Sequence, residues 1–322
     1  MSPEEPPRQP QLGTGRIEVH AFAGSTTIST LSSTYPLKLV SPPCKPTNRA
    51  ALAFTMSYGG GLVAGDSVSL SVTLQRNARL GLLTQGSTKV YKTPSKDVLR
   101  ARQSLTASVD EGAALLLLPD PVQPFRDSAY DQRQVFCLRP GASVLVLDWV
   151  CAGRAARGEE WVFSEYRSRN EVWGVSGEEG KGGGRRVLVL RDNLVLTDAL
   201  SPSPAPSPAG SSDFRDEMDG LGVFGSMVLR GPLFTELGEF FLAEFARLPR
   251  IGPNGRGVGS AEGGPRLDTG IKAWTAASIR GCVMVKFGAG EVDAAKRWLR
   301  EMLVREGTVE REFGAKALLC LQ

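Results

Sequence analysis

The stretch SVSLSVTL, residues 67–74, alternates without a break. Val68, Leu70, Val72 and Leu74 fall on one face, and Ser67, Ser69, Ser71 and Thr73 on the other. A period of two suits a half-buried β-strand and cannot give a helix one apolar stripe. Comparable runs fill the first two thirds of the chain between Gly, Pro, Asn and Asp breaks: RIEVHAF (16–22), ALAFTMSY (51–58), ARLGLLT (78–84), LRARQSLTASV (99–109), SVLVLDWV (143–150), WVFSEYRS (161–168) and VLVL (187–190). ALLLL (114–118) is apolar throughout, which predicts a strand buried on both faces; Pro119, Pro121 and Pro124 then stop it, because proline cannot serve a central ladder.

Helical spacing appears only late. Phe234, Leu237, Phe241, Phe245 and Leu248 repeat between Pro232 and Pro249. A second helix is expected from about Glu291 to Arg305, with Val292, Ala295, Leu299, Met302 and Leu303 on one stripe, acids in its first turn, and Gly307 to end it. Between them WTAASIRGCVMVKF (274–287) reads as one or two more strands. The expected fold is mainly β, a stacked-sheet or β-sandwich-like architecture with about two α-helices in the C-terminal third.

The 322 residues suffice for one large domain, read as 15–322 after a disordered tail over 1–14. That tail carries no apolar segment of the signal-peptide kind. Three stretches poor in apolar residues, near 178–186, 201–213 and 251–266, read as mobile inserts. No internal repeat of fixed period stands out. The net charge of +4 is spread along the chain, which gives no nucleic-acid footprint, and no run of about 18 apolar residues spans a membrane. The five cysteines, Cys44, Cys137, Cys151, Cys282 and Cys320, are isolated and odd in number, as in a reduced, cytoplasmic protein. His20 is the single histidine, so a His-rich zinc site, a Ser-His-Asp triad or a Cys-His dyad would have to be built on it.

The glycines of GGGLVAGDSVSL (59–70) invite comparison with a phosphate loop. Walker A chemistry needs GxxxxGK[ST] opening a helix, and a dinucleotide loop also opens a helix; here the glycines open an alternating strand. The stretch therefore reads as a tight turn with positive φ, with Asp66 at the turn-to-strand junction. Asp66 either bonds its own backbone or points into a polar cavity. Thr84, Gln85, Ser87, Thr88 and Lys89 interrupt two apolar strands, as a polar hairpin tip or as the lining of a channel or partner site. In GRAARGEE (153–160), Arg154, Arg157, Glu159 and Glu160 form either an exposed ion-pair cluster or, with Asp148, part of a carboxylate group. No Cys/His spacing supports a soft metal site.

Taken together, GGGLVAGDSVSL (59–70), LLTQGSTKVYKT (82–93), LPDPVQPFRDSAY (118–130) and GRAARGE (153–159), with YPLKLVSP (35–42) and RGCVMVKFGAGE (280–291), resemble the urease accessory protein D family, UreD or UreH. Ala64 stands where that family often has glycine. The resemblance is densest from about residue 13 to 200, and the inserts and the TQGSTK form suit a eukaryotic, fungal-like member. It implies a mainly β, non-catalytic scaffold or chaperone. Such a protein would bind apo-urease with UreF and the GTPase UreG, and assist nickel delivery and active-site lysine carbamylation. It further implies a water-filled nickel route. By motif position, Asp66, Glu159 and, more weakly, Asp148 become candidates to meet transient Ni²⁺, and Thr84, Gln85, Thr88 and Lys89 candidates for polar lining or partner contact. No permanently bound cofactor is expected. Oxygen ligands suit a carrier that must release its ion. Two readings from other classes stay open: an all-β carbohydrate-active enzyme with paired carboxylates, and a passive β-rich binding module.

Overall fold

The computed structural model describes residues 12–43, 48–93, 99–177, 185–197, 216–248, 250–251, 257–258 and 270–322. Three segments, QRNA (75–78), DEGA (110–113) and RPGA (139–142), share one turn geometry. In each the third residue has positive φ: Asn77 60°, Gly112 67°, Gly141 77°. Asn and Gly tolerate that region best. In each the fourth residue is a buried alanine whose N–H donates, at 3.0 Å, to the carbonyl three residues back. Each turn carries the chain out of one sheet and into a second.

The elements follow from this repetition. β1 (Thr14–Phe22) and β2 (Ser25–Ser33) form a hairpin, followed by β3 (Leu37–Val40), β4 (Ala51–Ser57) and β5 (Gly61–Leu62). Then come three coils. The first is β6 (Ser67–Leu74), β7 (Arg79–Thr84) and β8 (Thr88–Val90); the second is β9 (Ala101–Val109), β10 (Ala114–Leu118) and β11 (Val122–Pro124). The third is β12 (Ala129–Leu138) and β13 (Ser143–Cys151), ending in the small hairpin β14 (Gly153–Arg154) and β15 (Glu159–Glu160). After β16 (Glu165–Ser176), β17 (Arg185–Thr197) and β18 (Val223–Arg230) come α1 (Thr235–Ala246) and the short pair β19 (Arg250–Ile251) and β20 (Gly257–Val258). The chain closes with β21 (Ile271–Ile279), β22 (Cys282–Ala289), α2 (Val292–Glu306), α3 (Thr308–Phe313) and a 3₁₀ segment, Ala315–Leu321.

The first sheet runs β17-β16-β12-β9-β6-β1-β2 and the second β21-β22-β18-β13-β10-β7-β4-β3. In the first, β1, β6, β9, β12 and β16 are parallel neighbours, with β2 and β17 antiparallel at the edges. In the second, β4, β7, β10 and β13 are parallel, flanked by antiparallel β3 and β18. The stacked sheets are thus wound as a solenoid, each coil contributing one strand to each sheet.

Parallel strands are normally covered on both faces. The second sheet obeys. Leu80, Val144, Val146 and Val150 face the first sheet, while Leu145, Leu147 and Trp149 face the helical layer. All nine residues of β13 and all five of β10 are buried, which is why ALLLL shows no alternation. The first sheet turns its outer face to solvent, so β6 keeps its alternation, with Ser67, Ser69 and Ser71 exposed and Val68, Leu70, Val72 and Leu74 buried. Helix α2 begins after Glu291, carries Asp293 in its first turn and ends at Gly307, whose φ is 90°. Trp298 seats it among Phe241, Trp274 and Phe287, at ring-centroid distances of 6.2, 5.4 and 5.5 Å.

Some sequence expectations need correction. Residues 161–164 are not strand; β16 starts at Glu165. The polar stretch after β7 is a bend, not a hairpin tip, because β8 pairs in parallel with β5 and β11. The sequence pattern does not mark strands β2, β3, β12 and β18, the two- and three-residue strands, or helix α3. The expected tail over 1–14 is described only from residue 12, and Thr14 already opens β1. The inserts near 178–186, 201–213 and 251–266 lie mostly outside the described residues, although Arg185 and Arg186 open β17 and Ile251 belongs to β19.

Candidate functional site

Inward positions of a strand in the first sheet should be apolar, and over most of the stack they are. Around β12 and β16 they are not. Tyr130 and Phe136 face the core from β12, but Gln132 and Gln134, at the same parity, replace the two apolar residues between them. On β16, Ser168 and Asn170 sit between inward-facing Tyr166 and Val172. Register aligns these residues into rungs. Gln132 lies between Gln103 of β9 and Ser168, and Gln134 between Leu105 and Asn170; Asn170 in turn faces Asp192 of β17. Across the gap, Asp148 of β13 neighbours Ser226 of β18, which neighbours Lys286 of β22. A polar seam therefore crosses the inter-sheet core, perpendicular to the strands.

Asp148 is its centre. Oδ1 accepts from Gln132 Nε2 at 2.9 Å, and Oδ2 from Ser168 Oγ at 2.5 Å and Asn170 Nδ2 at 2.6 Å. Burial pushes its carboxyl above the usual range against the pull of these three donors. Tyr130 and Tyr166 stack beside it with centroids 5.6 Å apart, and burial raises both phenols well above their ordinary value. The Tyr130 hydroxyl lies 3.0 Å from Gln132 Oε1. With these donors committed, Gln134 Oε1 and Asn170 Oδ1 are left buried without a partner among the described residues.

A cavity of about 140 Å³ opens onto Asp148, Gln132 and Gln134 and runs to Thr84, Gln85, Gly86, Thr88 and Asp120. Ligand clefts typically hold roughly 300–1,000 Å³, so this space suits water and a small ion better than an organic substrate. At its far end Asp120 is 6% exposed. Its Oδ2 accepts from the Thr84 hydroxyl and from Gly86 N–H, both at 3.0 Å, and its own N–H donates to Thr84 Oγ1 at 2.7 Å. Lys296 Nζ of α2 lies 2.8 Å from its Oδ1. At the opposite end of the seam, Asp192 takes Ser226 Oγ at 2.9 Å and Lys286 Nζ at 3.0 Å.

Of the residues singled out in the sequence, the cavity gathers Asp148, Thr84, Gln85, Ser87 and Thr88. The others stand elsewhere. Asp66 accepts Val63 N–H at 2.9 Å, closing its own turn. Lys89 is exposed on β8. Glu159 is held by Arg154 at 2.8 and 2.5 Å, and this partner pulls its carboxyl below the usual range. Arg154 also lies 4.2 Å above the Phe125 ring, so the pair fastens the β14–β15 hairpin rather than joining Asp148. Among the described residues no group of three or more His, Cys, Asp or Glu side chains is placed to hold a metal. Gln132, Gln134, Ser168, Asn170, Asp192 and Asp120 were not anticipated. Their signal was available: polar residues at the parity of buried apolar ones in AYDQRQVF and EYRSRNEV, and an aspartate fixed between Pro119 and Pro121 after an all-apolar strand.

Residues 11–317 match a family model described as UreD urease accessory protein. A protein named urease accessory protein 4 from Cryptococcus neoformans var. grubii is 35% identical, over 94% of this chain and 92% of its own length. A urease accessory protein UreD from an Anaeromyxobacter species is 32% identical over 91% of the chain and 85% of its own. An uncharacterized ureD-like protein of Schizosaccharomyces pombe is 32% identical over 89% and 92%.

Proposed function

Because the chain belongs to the UreD urease accessory protein family, we propose that it is a non-catalytic maturation factor that works with UreF and UreG to bring nickel into apo-urease. The family match along nearly the whole chain supports the urease role. One observation supports the nickel route: a buried aspartate, Asp148, with Gln132 and Gln134 in the wall of a cavity between two otherwise apolar sheet faces. Oxygen donors on a single carboxylate and on amides would hold a divalent cargo loosely enough to pass it on. Asp148 would supply the negative charge, and the Gln134 and Asn170 oxygens would replace part of the hydration shell. On this reading the work is cytoplasmic. Among the described residues no helix is long and apolar enough to cross a membrane.

The test is a strain lacking this protein, given back the wild-type chain or an Asp148 variant and grown in ordinary nickel, with co-purification of UreF, UreG and apo-urease. The expected result is urease polypeptide at normal abundance but nickel-poor and inactive without the chain. Normal urease activity in the deleted strain rejects the proposal.

A further inference from the structure

Lys296 reaches from α2 to Asp120 in the cavity wall, where the carboxylate has one oxygen to spare. Oδ2 is committed to the Thr84 hydroxyl and Gly86 N–H, so Oδ1 is the position a cation would take, and the Lys296 ammonium takes it at 2.8 Å. The lysine side chain is 18% exposed and the aspartate 6%. Thr84, Gly86 and Asp120 are all walls of the cavity, whereas Lys296 is not; its ammonium meets the cavity wall only through the Asp120 carboxylate. Helix α2 does not need this ion pair to dock: Trp298, Leu299, Met302 and Leu303 bury its apolar face. The arrangement recurs at the other end of the seam, where Ser226 holds one oxygen of Asp192 and Lys286 the other. Between the two pairs, Gln134 Oε1 and Asn170 Oδ1 are buried acceptors without donors among the described residues. Asp120 and Asp192 thus each carry a lysine ammonium on one oxygen.

We propose that Lys296 is a tethered cation that occupies the cavity's Asp120 carboxylate: a divalent cation engages Asp120 only when the ammonium withdraws. A divalent cation brought to Oδ1 would stand beside the like charge of the ammonium, which favours one or the other there, and the long lysine stem lets the ammonium swing out to solvent without moving the helix. Lys296 therefore sets when Asp120 is open to a cation and keeps the carboxylate from trapping stray ions in the resting protein. This rests on the nickel-route reading for the identity of the cargo.

The test uses the purified full chain with Ni²⁺ alone as the probe, in equilibrium dialysis of the wild type, Lys296→Met and the double variant Lys296→Met/Asp120→Asn. Lys296→Met is expected to bind Ni²⁺ at least about tenfold more tightly than the wild type, roughly the scale of one well-formed contact, and the double variant to lose that gain. Lys296→Met binding no better than wild type while melting like it overturns the proposal, as does a gain that survives in the double variant. Should Lys296→Met fail to fold, the wild-type chain decides: reductive methylation of Lys296, read by mass spectrometry, should quicken several-fold when Ni²⁺ is added, and an unchanged rate overturns the proposal. These readouts do not involve urease, so their failure leaves the maturation role standing, and a urease-competent deletion strain leaves them intact.

Discussion

Replacing Asp148 separates charge from shape. In Asp148→Asn the carboxamide oxygen can take the Oδ2 position and keep the bonds from Ser168 and Asn170. Its NH₂ then meets Gln132 Nε2, and a flip of the Gln132 amide turns Oε1 toward it. The flip breaks the 3.0 Å bond from Gln132 Nε2 to Ser168 Oγ, and it turns the NH₂ toward the Tyr130 hydroxyl, which can accept from it while donating to Gln103 Oε1 at 3.2 Å. The net loss is about one hydrogen bond, about 1 kcal/mol, or about 2 °C in melting temperature for a chain of this size. Asp148→Leu strands three donors, from Gln132, Ser168 and Asn170. At roughly 1–3 kcal/mol each, partly offset by the leucine's own burial, it should cost about 3 kcal/mol or more. The pH dependence carries a sign. Burial raises the folded carboxyl above its unfolded value, so the stabilisation from its retained proton is complete below the unfolded value. That stabilisation is lost as pH rises through the raised value. Asparagine has nothing to lose there, so Asp148→Asn should gain on the wild type across that window. Thermal melts over a pH series, paired with urease activity in the complemented deletion strain, read both effects. The asparagine variant should fold and fail to activate urease. A folded Asp148→Asn that restores full urease activity refutes the role of the charge, and an Asp148→Leu that melts with Asp148→Asn refutes the count of stranded donors.

Other consequences can be checked one at a time. Glu159→Gln should leave urease activation intact, because Glu159 lies outside the cavity lining; its stabilisation, present above the ordinary carboxylate range and lost as pH falls through the lowered value, should show as a wild-type advantage in melts that shrinks in acid. Trp298→Ala should cost about 3–5 kcal/mol in denaturant titration, since Trp298 is 3% exposed among three aromatic rings; a loss below about 1 kcal/mol would show that the helical layer is not held there. Gly231→Ala should lower soluble yield and melting temperature sharply, because φ is 96° and a Cβ would stand 2.2 Å from the Ala142 carbonyl oxygen. Cys151 and Cys320, whose thiols burial pushes up to about 11 and about 12, should resist an aromatic disulfide reagent until the chain is unfolded; prompt labelling of either in the native protein contradicts their placement.

The strands that sequence revealed and those it hid differ for one reason. β6 and β10 were legible because every inward residue is apolar, alternating where one face is wet and continuous where neither is. β12 was illegible because Gln132 and Gln134 occupy inward positions, and the start of β16 was misplaced because Trp161 and Phe163, buried in the core, precede the strand rather than belong to it. The residues that build the seam are thus the residues that erased its strands from the pattern. The solenoid was hidden differently. QRNA, DEGA and RPGA are one turn written three ways, and the links between coils differ in length, so no fixed period survives. Asp148 was found through its neighbourhood to GRAARGE, although the structure places it with β12 and β16 instead.

The winding of the chain also makes the length of the seam a discrete quantity. Polar rungs lie along the stacking direction, where neighbouring strands are about 4.8 Å apart. From Gln103 on β9 to Asp192, beside Asn170, on β17 there are three such steps between strands, so the seam measures about 14 Å across the sheet. A relative with one coil more or fewer would lengthen or shorten its passage by one whole step, whereas changes in the connecting loops would leave that span untouched. Distance through this protein is counted in coils.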